Sequence, residues 1–315
     1  MRGLTYLAAC VLLLMVTCQQ KTDSPPTSQD AKAPAQLLDK ESKPESSLVV
    51  EYEQFLTKLD SGDVASMTKA ADKYASLFKG QPTSVADSGY VLFEEFYQRT
   101  NDKLNEVHYR DTSDYFMPLV SDTEEPIPKK LQEYSNLMNT NGFSVDYQEG
   151  GTYLKQNRTF ITRHFYPFVS PIMKEYLVQV EEENEDGFNT DGGIFITETE
   201  FVNRILWWEN FMKENPSFVM RGQGKKKLKE YLTYFLEGMD NTPIMDMADS
   251  TKINQYYASA YTRLNKLAPT SEANKLVKPY FQELKKGDKT TAQKLLAQYR
   301  RKELIFTWSK EGCPY

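Results

Sequence analysis

Histidine is nearly absent, with His108 and His164 the only two in 315 residues. No His-x-x-x-His pair and no Gly-x-Ser-x-Gly segment occurs, so the usual signatures of zinc and serine hydrolases are missing. Cysteine is almost as scarce. Cys10 and Cys18 lie near the N-terminus, and only Cys313 follows, two residues from the end with no histidine nearby in sequence. An intramolecular disulfide framework is therefore excluded for the body, and a thiol nucleophile is not expected there. Positive charge is also short: the formal net charge is −6, and no long basic stripe interrupts it. That balance excludes the nucleic-acid-binding class. Long apolar runs are missing too. The largely apolar run from Leu4 to Val16 is 13 residues, short of the ~20 needed to cross a bilayer.

What is present begins at that run. Arg2 precedes it and Thr17-Cys18 closes it, a positive start, a short apolar centre and a small residue before a cut, which is the layout of an export signal. Met15-Val16-Thr17-Cys18 resembles the lipobox of bacterial lipoprotein precursors. The resemblance covers the leader alone, and implies that the Cys18 thiol is acylated, for example with palmitate, and becomes the mature N-terminus. Leu7-Ala8-Ala9-Cys10 also fits the pattern but leaves a very short apolar core ahead of it, and cleavage without lipid is the third outcome. Lipid chains contribute about 0.8 kcal/mol per buried CH₂, so multiple acylation holds a protein firmly at a membrane. Residues 18–47 read as the lipidated cysteine and a tether. From Gln19 to Ser47 there is no aromatic residue, and Pro25, Pro26, Pro34 and Pro44 break the chain. Such a stretch buries too little apolar surface to offset chain entropy, and spans about 30 Å on average if flexible.

The 268 residues from Leu48 to Tyr315 are enough for one large domain or two small ones. Helical periodicity dominates them. Val64, Met67, Ala71, Tyr74 and Phe78 form one apolar stripe, with Asp63 placed as an N-cap and Gly80 as a stop. Tyr52, Phe55, Leu56 and Leu59 form its partner. A longer helix is predicted from about Ser84 to Val107, followed by a loop region containing Pro118, Pro126 and Pro128. After Asn141-Gly142, the alternation Phe143, Val145, Tyr147 and a return over Thr152 to Lys155 predict a small β-hairpin, a candidate subdomain boundary near 140–157. Phe160 to Val180, broken at Pro167 and Pro171, and Phe201 to Met212 are expected to form the centre of the core. Stripes ending at Gly238, around Tyr257 to Leu264, and from Ser271 to Gly287 predict three further helices. The expected fold is all-α: a multi-helix bundle or an irregular array of helical hairpins with one small β-hairpin. The segments Glu51 to Gly80 and Ile253 to Gly287 have the length of tetratricopeptide-like hairpins, but no consensus repeats in tandem.

Two segments suggest ligands. In the acidic stretch Glu181 to Glu198, counting as an EF-hand puts Asn189, Asp191, Gly192, Ile194 and Glu198 at loop positions 3, 5, 6, 8 and 12. Calcium needs such spacing because the chain must wrap a hard cation with oxygens. Position 1 is Gly187, so Asp186 would have to reach across. Glu181, Glu182, Glu183, Glu185 and Asp186 also gather where a helix should end, against its macrodipole, and a cation would relieve that conflict. Asp186, Asn189, Asp191 and Glu198 are thus the candidate metal ligands, with calcium the one cofactor considered. The competing reading is a solvated acidic turn followed by a Gly-rich loop. Arg221, Lys225, Lys226 and Lys227, interleaved with Gly222 and Gly224, are the candidate anion site, since positive charge at a helix start invites an anion. They lack the phosphate-loop spacing, and a solvent-facing basic turn is the alternative.

The sequence therefore predicts an exported lipoprotein, anchored to a bacterial envelope membrane and facing periplasm or cell surface. Its body is expected to be a non-catalytic binding or scaffold module that touches another envelope protein. The alternative is a glycan-binding or glycan-cleaving protein that uses aromatics and carboxylates.

Overall fold

In the computed structural model, residues 45–108, 113–122, 125–148 and 151–307 are described. The leader, Cys10, Cys18, most of the tether and Cys313 lie outside the described residues. The first helix, α1 (Glu45–Leu56), starts three residues inside the segment expected to be tether. It pairs with α2 (Ser66–Phe78). Asp63 takes the amide of Ala65 at the entry to α2, and Gly80 leaves it at φ 75°. Tyr52, Tyr74 and Phe78 pack as a trio of rings, and Tyr52 donates to the carbonyl of Ala70 at 3.1 Å.

The long helix α3 (Thr83–His108) crosses this pair. Its approach to α2 depends on Gly89, where an added Cβ would lie 2.4 Å from the Phe78 ring. After α4 (Ser113–Phe116) comes α5 (Lys129–Thr140), which the proline-rich segment had concealed. Pro128 stands immediately before it, where its missing N–H costs nothing, and Leu131, Tyr134 and Met138 share its inner face. The expected hairpin follows as β1 (Phe143–Gln148) and β2 (Gly151–Gln156), antiparallel, with Phe143 opposite Gln156 and Gln148 opposite Gly151. Asn105 of α3 completes the outer edge of β2: its side-chain amide donates to the Leu154 carbonyl at 2.9 Å and accepts the Leu154 amide at 2.7 Å.

The apolar centre then divides at its prolines into α6 (Thr159–His164) and α7 (Pro171–Asp186). Ser170 caps α7 by accepting the Met173 amide, and Asp87 of α3 accepts the Ser170 amide at 2.9 Å. Next comes a unit that occurs twice. In the first, α7 leads through β3 (Asn189–Thr190) and β4 (Gly193–Ile194) into α8 (Glu198–Glu214). In the second, α9 (Arg221–Glu237) leads through β5 (Gly238–Met239) and β6 (Thr242–Pro243) to α10 (Gln255–Leu267). The two hairpins dock on each other: the Asn241 amide donates to the Gly192 carbonyl at 2.9 Å, and the Ile194 amide to Thr242 Oγ1 at 3.0 Å. Each unit leaves its first helix through a glycine of positive φ, Gly187 and Gly238.

The chain closes with α11 (Glu272–Lys286), which ends at left-handed Gly287, and α12 (Lys289–Arg301), started by Asp288. Among the described residues the fold is an irregular array of helical hairpins with three small two-stranded sheets, and one continuous apolar core runs from Leu48 to Ile305. Phe165, Met173, Phe201, Ile205 and Trp208 are all essentially sealed from solvent, as expected for its centre.

Candidate functional site

The acidic end of α7 is neutralised from within the chain. Arg204, on the otherwise apolar face of α8 with Phe201, Ile205 and Trp208, is buried and aimed at that end. Its Nη1 donates to the Gly187 carbonyl at 2.7 Å, and its Nη2 to Glu200 at 2.6 Å and to Asp186 at 3.5 Å. A guanidinium on the last carbonyls of a helix opposes the negative end of its dipole. Burial pulls the Arg204 pKa down, but the neighbouring Tyr231 phenol, Glu183 and Glu200 outweigh it and hold the group above its ordinary value. Lys155 of β2 reaches Glu185 at 3.7 Å, adding a second cation at the same helix end.

Beneath Arg204 lies Glu183, buried in the last turns of α7. Its Oε1 accepts from Trp208 Nε1 at 2.6 Å and from Gln179 at 2.8 Å, and its Oε2 accepts from the Tyr231 hydroxyl at 2.7 Å. Burial and the adjacent Glu183 push the Tyr231 phenol well above its usual pKa, so it stays a donor. Three helices, α7, α8 and α9, are thereby tied through one carboxylate. Over this network a cleft of about 190 Å³ opens between α7 and α8, lined by Glu182, Asp186, Glu200, Asn203, Arg204 and the half-buried indole of Trp207. Trp207 is set by stacking on Phe211, with ring centroids 4.8 Å apart. Glu182 and Asn203 are exposed on its rim and Trp207 is half-buried, and the three side chains make no hydrogen bond among the described residues.

The candidate metal ligands are dispersed. Asp191 and Gly192 both have positive φ and form the two-residue tip of the β3–β4 hairpin, the conformation that an Asp-Gly pair favours. Asn189 belongs to that hairpin's first strand, Asp186 pairs with Arg204, and Glu198 opens α8 on the wall of a different cleft. Among the described residues no group of three or more His, Cys, Asp or Glu side chains gathers to hold a metal ion. The place where a cation was expected to relieve the acidic helix end is taken by Arg204.

The basic segment opens α9. Arg221 turns back to the Met212 carbonyl at 3.4 Å, Lys227 pairs with Glu230 at 3.4 Å and lies over the Tyr231 ring, and Lys225 and Lys226 are exposed. The structure thus does not draw the four into one cradle. Gly224 has a packing role, since a Cβ there would meet Met212 at 3.2 Å.

Both histidine rings pack against a phenylalanine ring. His108 is buried, hydrogen-bonded to Tyr134 at 3.0 Å and Thr152 at 2.9 Å, and stacked on Phe116. His164 lies against Phe160, and burial, with Arg163 beside it, lowers its pKa. A second buried pair, Arg158 of the β2–α6 connection with Glu94 of α3 at 3.0 Å, joins the hairpin to the helices, and Tyr90 donates to the same carboxylate.

Sequence reasoning passed over Arg204, read Glu183 as one of the acidic run at the helix end, and read Trp207 as part of the apolar face of its helix. The usable signal was a charged residue, Arg204, spaced as a member of an apolar stripe. Compared with protein-family models, with curated proteins and with solved structures, the chain matches none.

Proposed function

We propose that this chain is a lipoprotein of a bacterial envelope, held by acylated Cys18 and a tether, whose helical body is a non-catalytic binding module. The observation that supports the binding role is the α7–α8 cleft. Its floor is fixed by a carboxylate with three donors and a guanidinium with four acceptors, while Glu182, Asn203 and Trp207 are left unspent at its walls. Groups locked in this way are arranged for recognition without rearrangement, because the cost of ordering them is met on folding. The occupant on this reading is a segment of another envelope protein. A photo-crosslinking residue placed at Asn203, on the rim, should capture one discrete envelope protein in intact cells. A crosslinker at Asn203 that yields no adduct, while the protein is folded and membrane-bound, contradicts the reading.

A second reading has its own support: an indole face and the carboxylates of Glu182 and Glu200 share the cleft, and such walls suit sugar rings and their hydroxyls. Quenching or a blue shift of tryptophan fluorescence by neutral oligosaccharides, abolished in Trp207→Ala, favours it. An unchanged spectrum favours the protein partner.

A further inference from the structure

The α7–α8 cleft, at about 190 Å³, is smaller than the ~300 Å³ at which pockets for drug-sized ligands begin, and suits one long side chain. Its chemistry is uneven. Glu182, Glu183, Asp186 and Glu200 line it against a single guanidinium, Arg204, so carboxylates outnumber cations four to one.

Arg204 does not exhaust them. Glu200 gives it Oε1 and Asp186 gives it Oδ2. The second oxygen of each, Glu200 Oε2 and Asp186 Oδ1, makes no hydrogen bond among the described residues, and neither does Glu182. Arg204 also donates to Gly187 and Tyr231, which fixes it on the floor of the cleft.

The aromatic wall is independent of these charges. One face of the Trp207 indole stacks on Phe211 with the ring planes 9° apart, and Trp208 stands nearly perpendicular to it. Phe211 lies one helical turn towards the C-terminus of α8, so the second face turns the other way, towards Asn203 and Glu200. Among the described residues no other ring and no cation lies over that face. The two helices run antiparallel here, with Asp186 level with Arg204 and Glu183 level with Trp208. Glu182, next to Glu183 in sequence, therefore stands between the Glu200 end of the cleft and the indole.

A flat aromatic face bordered by carboxylate oxygens matches a guanidinium. The ring quadrupole attracts a cation placed above it, and the planar fork of N–H donors meets carboxylates along its edge. An anion would be repelled, and a neutral amide would leave the excess charge unmet.

We propose that the α7–α8 cleft receives an arginine side chain of the protein partner, its guanidinium over the free face of Trp207 and its donors on Glu182, Asp186 and Glu200. This rests on the binding-module reading and names the side chain that the module recognises. The test follows the indole N–H resonances of the full chain, isotopically labelled at nitrogen and held in a neutral detergent, as Nα-acetyl-L-arginine amide is added. Nα-acetyl-L-citrulline amide, nearly the same in shape but uncharged, is the control at matched ionic strength, and Trp207→Phe identifies the Trp207 signal. That signal should shift saturably with a dissociation constant on the order of 5 mM for the arginine compound, and at least about tenfold more weakly for the citrulline compound. The Trp208 signal, whose N–H is held by Glu183, should move little in either titration. Glu182→Gln should weaken arginine binding by about threefold or more, and added salt should weaken it in the wild type. An unchanged Trp208 signal in that variant shows that it is folded. No Trp207 shift at about 50 mM, equal binding of the citrulline compound, or unchanged affinity in folded Glu182→Gln overturns the proposal. Capture of a protein partner at Asn203 in the face of any of those results leaves the binding module standing and removes the arginine.

Discussion

Trp208 Nε1 donates to Glu183 Oε1 at 2.6 Å, with both side chains buried between α7 and α8. The Tyr231 hydroxyl of α9 meets the other carboxylate oxygen at 2.7 Å, so one acidic residue sets the spacing of three helices beneath the cleft. Glu183→Ala should leave two buried donors unmatched and cost roughly 3 kcal/mol. Glu183→Gln keeps an acceptor and should cost about 1 kcal/mol. Denaturant midpoints with unchanged slope measure both; equal stability of wild type and Glu183→Ala would show that the network does not hold these helices.

Arg204 has the complementary task of holding the acidic end of α7. Arg204→Met fills similar volume without charge and should cost about 2 kcal/mol, since hydrogen bonds to charged groups are worth more than neutral ones. Hydrogen exchange should accelerate at Gly187 and Phe188, just past the helix end. Protection identical to wild type there would assign the stabilisation of α7 to something else.

Gly89 meets Phe78 with no room for a methyl group. Gly89→Ala should destabilise the protein by about 1–3 kcal/mol through overpacking, despite alanine's better helix propensity. A rise in melting temperature would mean that α2 and α3 separate more easily than their packing implies.

Two groups give stability an acid-side signature. Burial raises the Asp87 pKa against the lowering effect of its bond from Ser170. A carboxyl raised in the folded state penalises folding at neutral pH, and the penalty fades as pH falls through the folded value towards 3.8. Asp87→Asn keeps an acceptor for the Ser170 amide. It should be at least as stable as wild type at pH 7, and the difference should narrow on acidification. His164 is lowered by burial, with Arg163 assisting. A histidine depressed in the folded state costs stability as pH falls from 6.5 through its folded value, and His164→Gln should flatten that limb. Parallel stability–pH curves for wild type and variants would refute these assignments.

Much of the architecture is legible in the sequence because apolar spacing and helix punctuation agree. Ser271, Gly80, Gly238 and Gly287 bound helices where expected, Asp63 holds the turn two residues ahead of the α2 N-cap Ala65, and the β1–β2 alternation survives in its register. The helices α5 and α12 were harder to read because each buries only a few residues on a polar background, Leu131 and Met138 in one, Ala292, Leu296 and Tyr299 in the other. The small hairpins were hidden by ambiguity. Asp191-Gly192 suits a calcium-loop turn and a two-residue hairpin tip alike, and the hairpin is visible only in the pairing of β3 with β4. The α7–α8 cleft was not legible, because its walls come from two successive helices whose crossing no periodicity encodes.

The proposal stands on Cys18. Metabolic labelling with an alkyne fatty acid, followed by fractionation of cells producing wild type or Cys18→Ser, tests it most directly. Wild type should carry label and sediment with the envelope membrane, and Cys18→Ser should lose both. An unlabelled wild-type chain recovered intact from the cytosol, with its first 17 residues still attached, would contradict the account.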